Sequence, residues 1–408
     1  MPKIAELRCR ECARHYAAAA VHVCEFCFGP LEPVYDFEAI TRSVSREKIA
    51  AGPPTIWRYS DLLPVDDDAE RVDIGAGLTP LLRAGSLGRE LGIDELYLKN
   101  DSANPTHSFK DRVVSVALTV ARAMGFDTVA CASTGNLANA VAAHAAKAGL
   151  QSYVFIPSDL EVAKVINTAV FGGHIVSVEG NYDAVNRLCS EVAQAFPWAF
   201  VNVNIRPFYA EGSKTLAFEI AEQLGWRAPA DIVVPVASGS LLTKVRKGLS
   251  EMVLTGLIDE SPTRIHAAQA AGCNPVVRAI QTGADHIRPV KPDTIAKSLA
   301  IGDPADGYYA LKTVRDTGGG AADVTESEII DGIKLLARTE GIFTETAGGV
   351  TISALKKLAD TDQLSKTGPV VALITGMGLK TAEVLGEMKP TMVIPPDFDA
   401  FQKRMRRP

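Results

Sequence analysis

From Glu95 onward the chain alternates short aliphatic and β-branched runs with longer amphipathic segments, and this alternation limits the fold more than any other feature. Glu95–Lys99, Thr128–Ser133, Ser152–Pro157, His174–Val178, Asp231–Ala237, Arg264–Ala268 and Val370–Ile374 read as strands. Between them, Ser108–Met124, Asn136–Lys147, Tyr182–Phe196, Gly212–Leu224 and Leu241–Thr255 read as helices. Strands that each return through a helix run parallel and need helices on both faces, so the expected class is α/β, with parallel or mixed sheets in αβα layers. Hydrophobic residues are 47% of the 408 and charged residues 22%, enough apolar side chain for large cores. Thr317-Gly-Gly-Gly320 is expected to be a flexible loop. In such sheets ligands sit at the carboxyl ends of strands, so the loops there carry the chemistry.

The first 35 residues stand apart. Cys9-Arg-Glu-Cys12 and Cys24-Glu-Phe-Cys27 are two paired-cysteine turns, and four thiolates complete a tetrahedral zinc shell with no open position. A closed shell of this kind is structural. His15 and His22, between the pairs, are expected to be loop residues rather than ligands. The segment has four basic and four acidic side chains, and the whole chain has a net charge of −6, so nucleic acid is not an expected partner. Cys131, Cys189 and Cys273 are scattered, as thiols in a reducing compartment are. There is no signal-peptide stretch at the start and no run of eighteen apolar residues, so the expected location is the cytoplasm, without a membrane partner. Residues 36–75, with Gly52-Pro53-Pro54 and Asp66-Asp67-Asp68, are expected to be an irregular connector. Residues 391–408 form a tail whose basic end is expected to be solvated.

Three loops stand at strand-to-helix transitions. Asn104-Pro-Thr-His-Ser-Phe-Lys-Asp-Arg112 precedes a helix, with Ser108 in the N-cap position. Cys131-Ala-Ser-Thr-Gly-Asn136 and Val236-Ala-Ser-Gly-Ser240 each end a strand and open a helix, where unpaired N–H groups bind anions. Each alone reads more simply as a solvated helix start; the three together, with a lysine among them, form a constellation.

Ser108-Phe-Lys-Asp-Arg112 resembles the cofactor-lysine motif of the pyridoxal-phosphate enzymes that share the tryptophan-synthase-β fold. Asn104-Pro-Thr, Tyr209–Glu219, Thr294-Ile-Ala-Lys-Ser298 and Gly341–Gly349 resemble the threonine synthases within that group, and the resemblance runs from about Gly75 to Glu387. It implies a large cofactor-binding domain of residues 76–100 and 205–390, a small αβα domain of 101–204, a homodimer, and conversion of O-phospho-L-homoserine and water to L-threonine and phosphate. Carried onto this sequence, it makes Lys110 the Schiff-base and proton-transfer lysine, and has Asn136 bond the cofactor's phenolic oxygen. Ser238, Gly239, Ser240, Leu241, Leu242 and Thr243 would cradle the pyridoxal 5′-phosphate phosphate, and Thr375 would bond the ring nitrogen. Ser133, Thr134 and Gly135 would hold the substrate carboxylate, with Thr106, Ser108, Asn204 and Arg206 as further substrate contacts.

The sequence departs from the family pattern in places. His107 stands where glycine is expected, Asn202-Val-Asn204-Ile-Arg206 replaces a tighter Asn-Pro-x-Arg, and Lys99-Asn-Asp101 stands where the family more often has lysine and glutamate. Asp111 and Arg112 are expected to pair structurally across the helix start. The rival readings are a cysteate synthase with a shorter pocket, a threonine or serine dehydratase without a phosphate anchor, and a catalytically silent zinc-ribbon binding protein.

Overall fold

Three sheets organise the structure, a computed structural model that describes residues 4–133, 135–158, 162–180, 182–260, 262–387 and 390–405. The first is a small antiparallel ribbon of β1 (Ile4–Cys9), β2 (His15–Ala17) and β3 (Leu31–Tyr35), in the order β2-β1-β3. The other strands are β4 (Leu81–Arg83), β5 (Leu96–Asn100), β6 (Thr128–Ala132), β7 (Gln151–Pro157), β8 (His174–Val178), β9 (Ala199–Phe200), β10 (Asp231–Pro235), β11 (Arg264–Ala270), β12 (Ala321–Val324) and β13 (Val370–Ile374). They form a six-stranded sheet, β12-β11-β10-β13-β5-β4, and a four-stranded sheet, β8-β7-β6-β9. Every pair is parallel except β4 with β5, so the large sheet is mixed at one edge.

Strands β6, β10 and β13 are buried at every residue, which is why they read as continuous apolar runs rather than alternating ones. Helices cover them. The Lys110–Ala123 helix is buried from Asp111 to Ala121, and its small and β-branched residues let neighbouring elements approach on all sides. The Thr346–Asp360 helix is likewise buried from Thr346 to Leu355. In the large sheet, chain order reverses between β10 and β13, and a switch of this kind opens a crevice beyond the carboxyl ends of the two strands.

Two expectations need correction. The connector is not irregular: it holds the helices Phe37–Ser43 and Arg46–Ala50 and the 3-10 turn Ile56–Leu62, which buries Ile56, Trp57, Tyr59 and Leu62. Nor are the glycines after Thr317 there for flexibility. A Cβ on Gly319 would lie 2.0 Å from the Ile265 carbonyl oxygen, and one on Gly320 would lie 2.0 Å from Gln363 Oε1. The Gly320 N–H donates to His266 Nδ1 at 2.8 Å, so the run exists to pass close to β11. Phe398–Met405 forms a helix with no buried residue, consistent with a solvated tail.

Candidate active site

A cavity of about 710 Å³ lies where the carboxyl ends of β6, β7, β10 and β13 converge. That is room for a cofactor and a small amino acid together. Lys110 lines it, and its Nζ donates to the Tyr209 hydroxyl at 2.9 Å. The lysine is seated from both sides. Ahead of it, the Phe109 N–H donates to the Thr375 carbonyl at 2.9 Å, which ties the helix start to the end of β13. Behind it, buried Arg112 donates to Asp101 through Nε at 2.6 Å and to Glu219 through Nη1 at 2.5 Å and Nη2 at 2.7 Å. Lys99 joins the cluster, its Nζ donating to Glu219 at 2.6 Å. Burial alone would raise Glu219, but Arg112 and Lys99 outweigh it and hold the carboxyl at about 2.

Asp111 and Arg112 therefore do not pair with each other. Asp111 accepts from the Thr106 N–H and hydroxyl, both at 2.8 Å, and burial raises it to about 6. The N-cap is Phe109, not Ser108. Ser108 Oγ is buried without a hydrogen-bond partner among the described residues, and neither Ser108 nor Thr106 lines the cavity. His107 has φ of +61°, the left-handed conformation that glycine adopts freely, which explains why glycine is expected there. Its ring is exposed, 3.3 Å from the Ser102 carbonyl, and does not enter the cavity.

Ser133, Gly135 and Asn136 line the cavity at the end of β6. Thr134 lies outside the described residues. Asn136 Nδ2 donates to both oxygens of Glu345, at 3.2 and 2.9 Å, while its Oδ1 accepts from Lys380 Nζ at 2.7 Å. Thr375 Oγ1 donates to Glu345 at 3.5 Å. Burial raises Glu345 against the opposing pull of Asn136 and Lys380, and burial lowers Lys380.

Ser238, Gly239, Ser240 and Leu241 line the cavity at the end of β10. Gly239 has φ of +90°, and a Cβ there would lie 2.7 Å from the Asp306 carbonyl oxygen, so both conformation and packing require glycine. The first i to i−4 bond of the following helix is Thr243 N–H to Gly239 O, so the Leu241 and Leu242 N–H groups before it have no i−4 partner, while the Ser240 N–H donates to Ser238 Oγ at 3.4 Å. Leu242 is instead a core residue, and Thr243 Oγ1 donates to the Ser240 carbonyl at 2.9 Å; neither faces the cavity.

Arg206 lines the cavity, its Nη2 donating to Asp306 at 2.8 Å. Asn204 does not. Its amide closes a local turn, accepting from Phe200 N–H at 2.8 Å and donating to the Trp198 carbonyl at 3.0 Å. Asn202 takes the place expected for it, with a buried Oδ1 that has no partner among the described residues. Residue reading also passed over His22, Tyr209, Lys297, Ser298, Glu345 and Lys380 as cavity residues. Tyr209, Lys297, Ser298 and Glu345 stood inside the motifs that carry the resemblance, a signal that was there to use.

In the ribbon, the four cysteines are free thiols whose sulfurs all lie within 4.8 Å of one another. Cys9 and Cys27 Sγ are 3.5 Å apart and Cys12 and Cys24 Sγ 3.6 Å. Tetrahedral zinc with bonds of about 2.3 Å has sulfur–sulfur edges of about 3.8 Å, so the donor set and its size fit a closed metal shell.

The cavity has a matching donor set for pyridoxal 5′-phosphate: an amine, a helix-start anion loop on a glycine cradle at the end of β10, and a hydroxyl at the end of the neighbouring β13. Residues 72–376 match the family described as "Pyridoxal-phosphate dependent enzyme". The chain is 40% identical over 376 residues to a threonine synthase of Methanocaldococcus jannaschii, covering 91% of this chain and 92% of that one. It is 37% identical over 406 residues to one of Methanosarcina acetivorans, covering 97% and 98%, and 36% identical over 356 residues to one of Mycobacterium tuberculosis, covering 86% and 96%. Among solved structures it superposes on a diaminopropionate ammonia lyase of Escherichia coli with a TM-score of 0.65 at 20% identity, over 77% of this chain and 89% of that one. On maize serine racemase the TM-score is 0.61 at 22% identity, over 80% and 91%, and both structures share the fold. The chain belongs to the pyridoxal-phosphate-dependent enzymes of the tryptophan-synthase-β fold and, among them, to the threonine synthases.

Proposed function

We propose that this cavity carries out the threonine synthase reaction, O-phospho-L-homoserine and water to L-threonine and phosphate, with Lys110 as its catalytic base. The observation that carries the proposal is that Lys110, Ser133, Gly135, Asn136, the Ser238–Leu241 loop and Thr375 open onto one cavity that Asn202 and Arg206 also line. When bound, pyridoxal 5′-phosphate supplies an electron sink that acidifies the carbons next to the substrate nitrogen. Lys110 would hold the cofactor, and its amine, once freed, would take the proton from the α-carbon and then one from the adjacent carbon. The N–H groups at Ser240–Leu242 would hold the cofactor phosphate, Thr375 would bond the ring nitrogen, and Asn136 would bond the phenolic oxygen. A neutral hydroxyl at Thr375 does not enforce a charged ring. Ser133, Thr134 and Gly135 orient the substrate carboxylate, while Asn202 and Arg206 grip the departing phosphate. The Cγ–O bond breaks and phosphate leaves with the bridging oxygen; Cγ takes up the proton lost from Cβ and becomes the methyl group, water adds its hydroxyl at Cβ and gives its proton to the phosphate, and the α-carbon regains its proton.

The finer parts of this reading are zinc in the four-cysteine site, a cytoplasmic homodimer, and a division into cap (1–35), connector (36–75), large domain (76–100 and 205–390), small domain (101–204) and tail (391–408). Competition assays test the substrate. Turnover of O-phospho-L-homoserine should exceed that of O-phospho-L-serine with sulfite, and of L-threonine or L-serine, by orders of magnitude. Preference for phosphoserine with sulfite would point to cysteate synthesis, and preference for the unphosphorylated amino acids to dehydration; either overturns the assignment.

A further inference from the structure

The ribbon is not remote from the chemistry. His22, on the loop that leads into Cys24, is a wall of the catalytic cavity beside Arg206 and Ser240. Arg10 sits inside the first paired-cysteine turn, between Cys9 and Cys12. Its guanidinium lies 3.5 Å from the centre of the Tyr309 ring, and its Nη1 lies 3.8 Å from Asp306 Oδ1. The other oxygen of Asp306 accepts from Arg206 at 2.8 Å. Asp306 also touches the Gly/Ser loop through its backbone, its N–H donating to the Ser238 carbonyl at 2.8 Å. One carboxylate therefore links a metal-ligand turn, the arginine at the anion end of the cavity, and the loop at the end of β10. Glu11, on the same turn, accepts from the Tyr309 hydroxyl and fixes the turn from its other side.

We propose that the four-cysteine ribbon is a working part of the anion site: Arg10 acts through Asp306 as a positioning residue for Arg206, so that metal in the ribbon sets how tightly the cavity takes a phosphorylated substrate. This rests on the reading of Arg206 as a substrate-phosphate anchor. The sign follows from the charges. With Arg10 in place, Asp306 is shared between two guanidinium groups, and Arg206 keeps positive charge to offer an anion. Without Arg10, or with the turn collapsed after metal loss, Asp306 holds Arg206 to itself and repels an incoming phosphate. Attraction at the anion end then falls by roughly ten-fold in affinity.

The test is calorimetric binding of inorganic phosphate to the holoenzyme, cofactor loaded, with zinc content measured on each sample. Arg10→Ala should weaken phosphate binding about ten-fold and raise KM for the phosphorylated substrate with kcat little changed, while zinc and cofactor stay at full occupancy. Arg10→Lys should restore part of the loss. Stripping the metal from the wild type should weaken binding similarly, and stripping it from Arg10→Ala should add little, because both act through Asp306. Arg206→Ala is the control. If it weakens phosphate binding while Arg10→Ala and metal removal leave it unchanged, the coupling is overturned and the anchor stands. If Arg206→Ala itself leaves binding unchanged, the coupling falls together with the anchor it rests on.

Discussion

Replacing Glu219 by glutamine removes the carboxylate that locks the Lys110 helix start to the rest of the large sheet. Glu219 Oε1 accepts from Arg112 and from the Leu78 N–H at 2.7 Å, and Oε2 accepts from Arg112, from Lys99 and from the Thr79 N–H at 3.2 Å. All of these charged side chains are buried, so the substitution leaves Arg112 and Lys99 with Asp101 alone and one net positive charge in the interior. The carboxyl is held at about 2 against 4.5 when unfolded. At about 1.4 kcal/mol for each pH unit, that difference is worth ~3 kcal/mol at neutral pH. Breaking a buried pair by removing one partner costs about 3–5 kcal/mol, which agrees. Because the folded value lies below the unfolded one, the contribution is complete above pH 4.5 and drains away as pH falls toward 2. Urea unfolding of wild type and Glu219→Gln from pH 7 downward should show a gap of ~3 kcal/mol that narrows below pH 4.5. A gap that is constant with pH, or below ~1 kcal/mol at pH 7, would falsify the view of this cluster as a charge-locked anchor.

Other substitutions probe the site itself. Lys110→Ala should lose at least about 10³-fold in turnover together with the visible absorption of the lysine-bound cofactor, read by spectrophotometry on dialysed protein. Asn202→Ala should raise KM for the phosphorylated substrate about ten- to hundred-fold, the worth of one hydrogen bond to a charged group, with a smaller change in kcat; steady-state kinetics checks it, and an unchanged KM would remove Asn202 from the anion end. Elemental analysis should find one zinc per chain, and Cys12→Ser should lose it and melt at least about 5 °C lower.

The strands and helices that could be read from the sequence are those long enough to show a period. β8 and β13 stand where the residues put them, and β6, β7 and β10 differ by a residue or two at their ends. β4 and β9, of three and two residues, carry no pattern, and their pairing is set by their neighbours. The connector reads as irregular because its helices are only five to seven residues long and Gly52-Pro53-Pro54 interrupts them. At the site, Lys110 and the loops after β6 and β10 were legible because each is a local motif at a strand end. His22 and Lys380 were not, because tertiary packing brings them to the cavity from segments far apart in sequence, and Asn202 was passed over for its neighbour Asn204 within one short stretch. Asn204 shows the same limit from the other side: its spacing suits an anchor, but a turn with Trp198 and Phe200 takes its amide.

The most direct measurement of the central claim is the fate of oxygen when O-phospho-L-homoserine turns over in ¹⁸O-labelled water. If the Lys110-centred cavity breaks the Cγ–O bond and adds water at Cβ, the label enters the hydroxyl of L-threonine, released phosphate carries none, and both products form in equal amounts. Label in the phosphate, with L-homoserine as the partner product, would mean simple phosphoester hydrolysis and would contradict the mechanism outright.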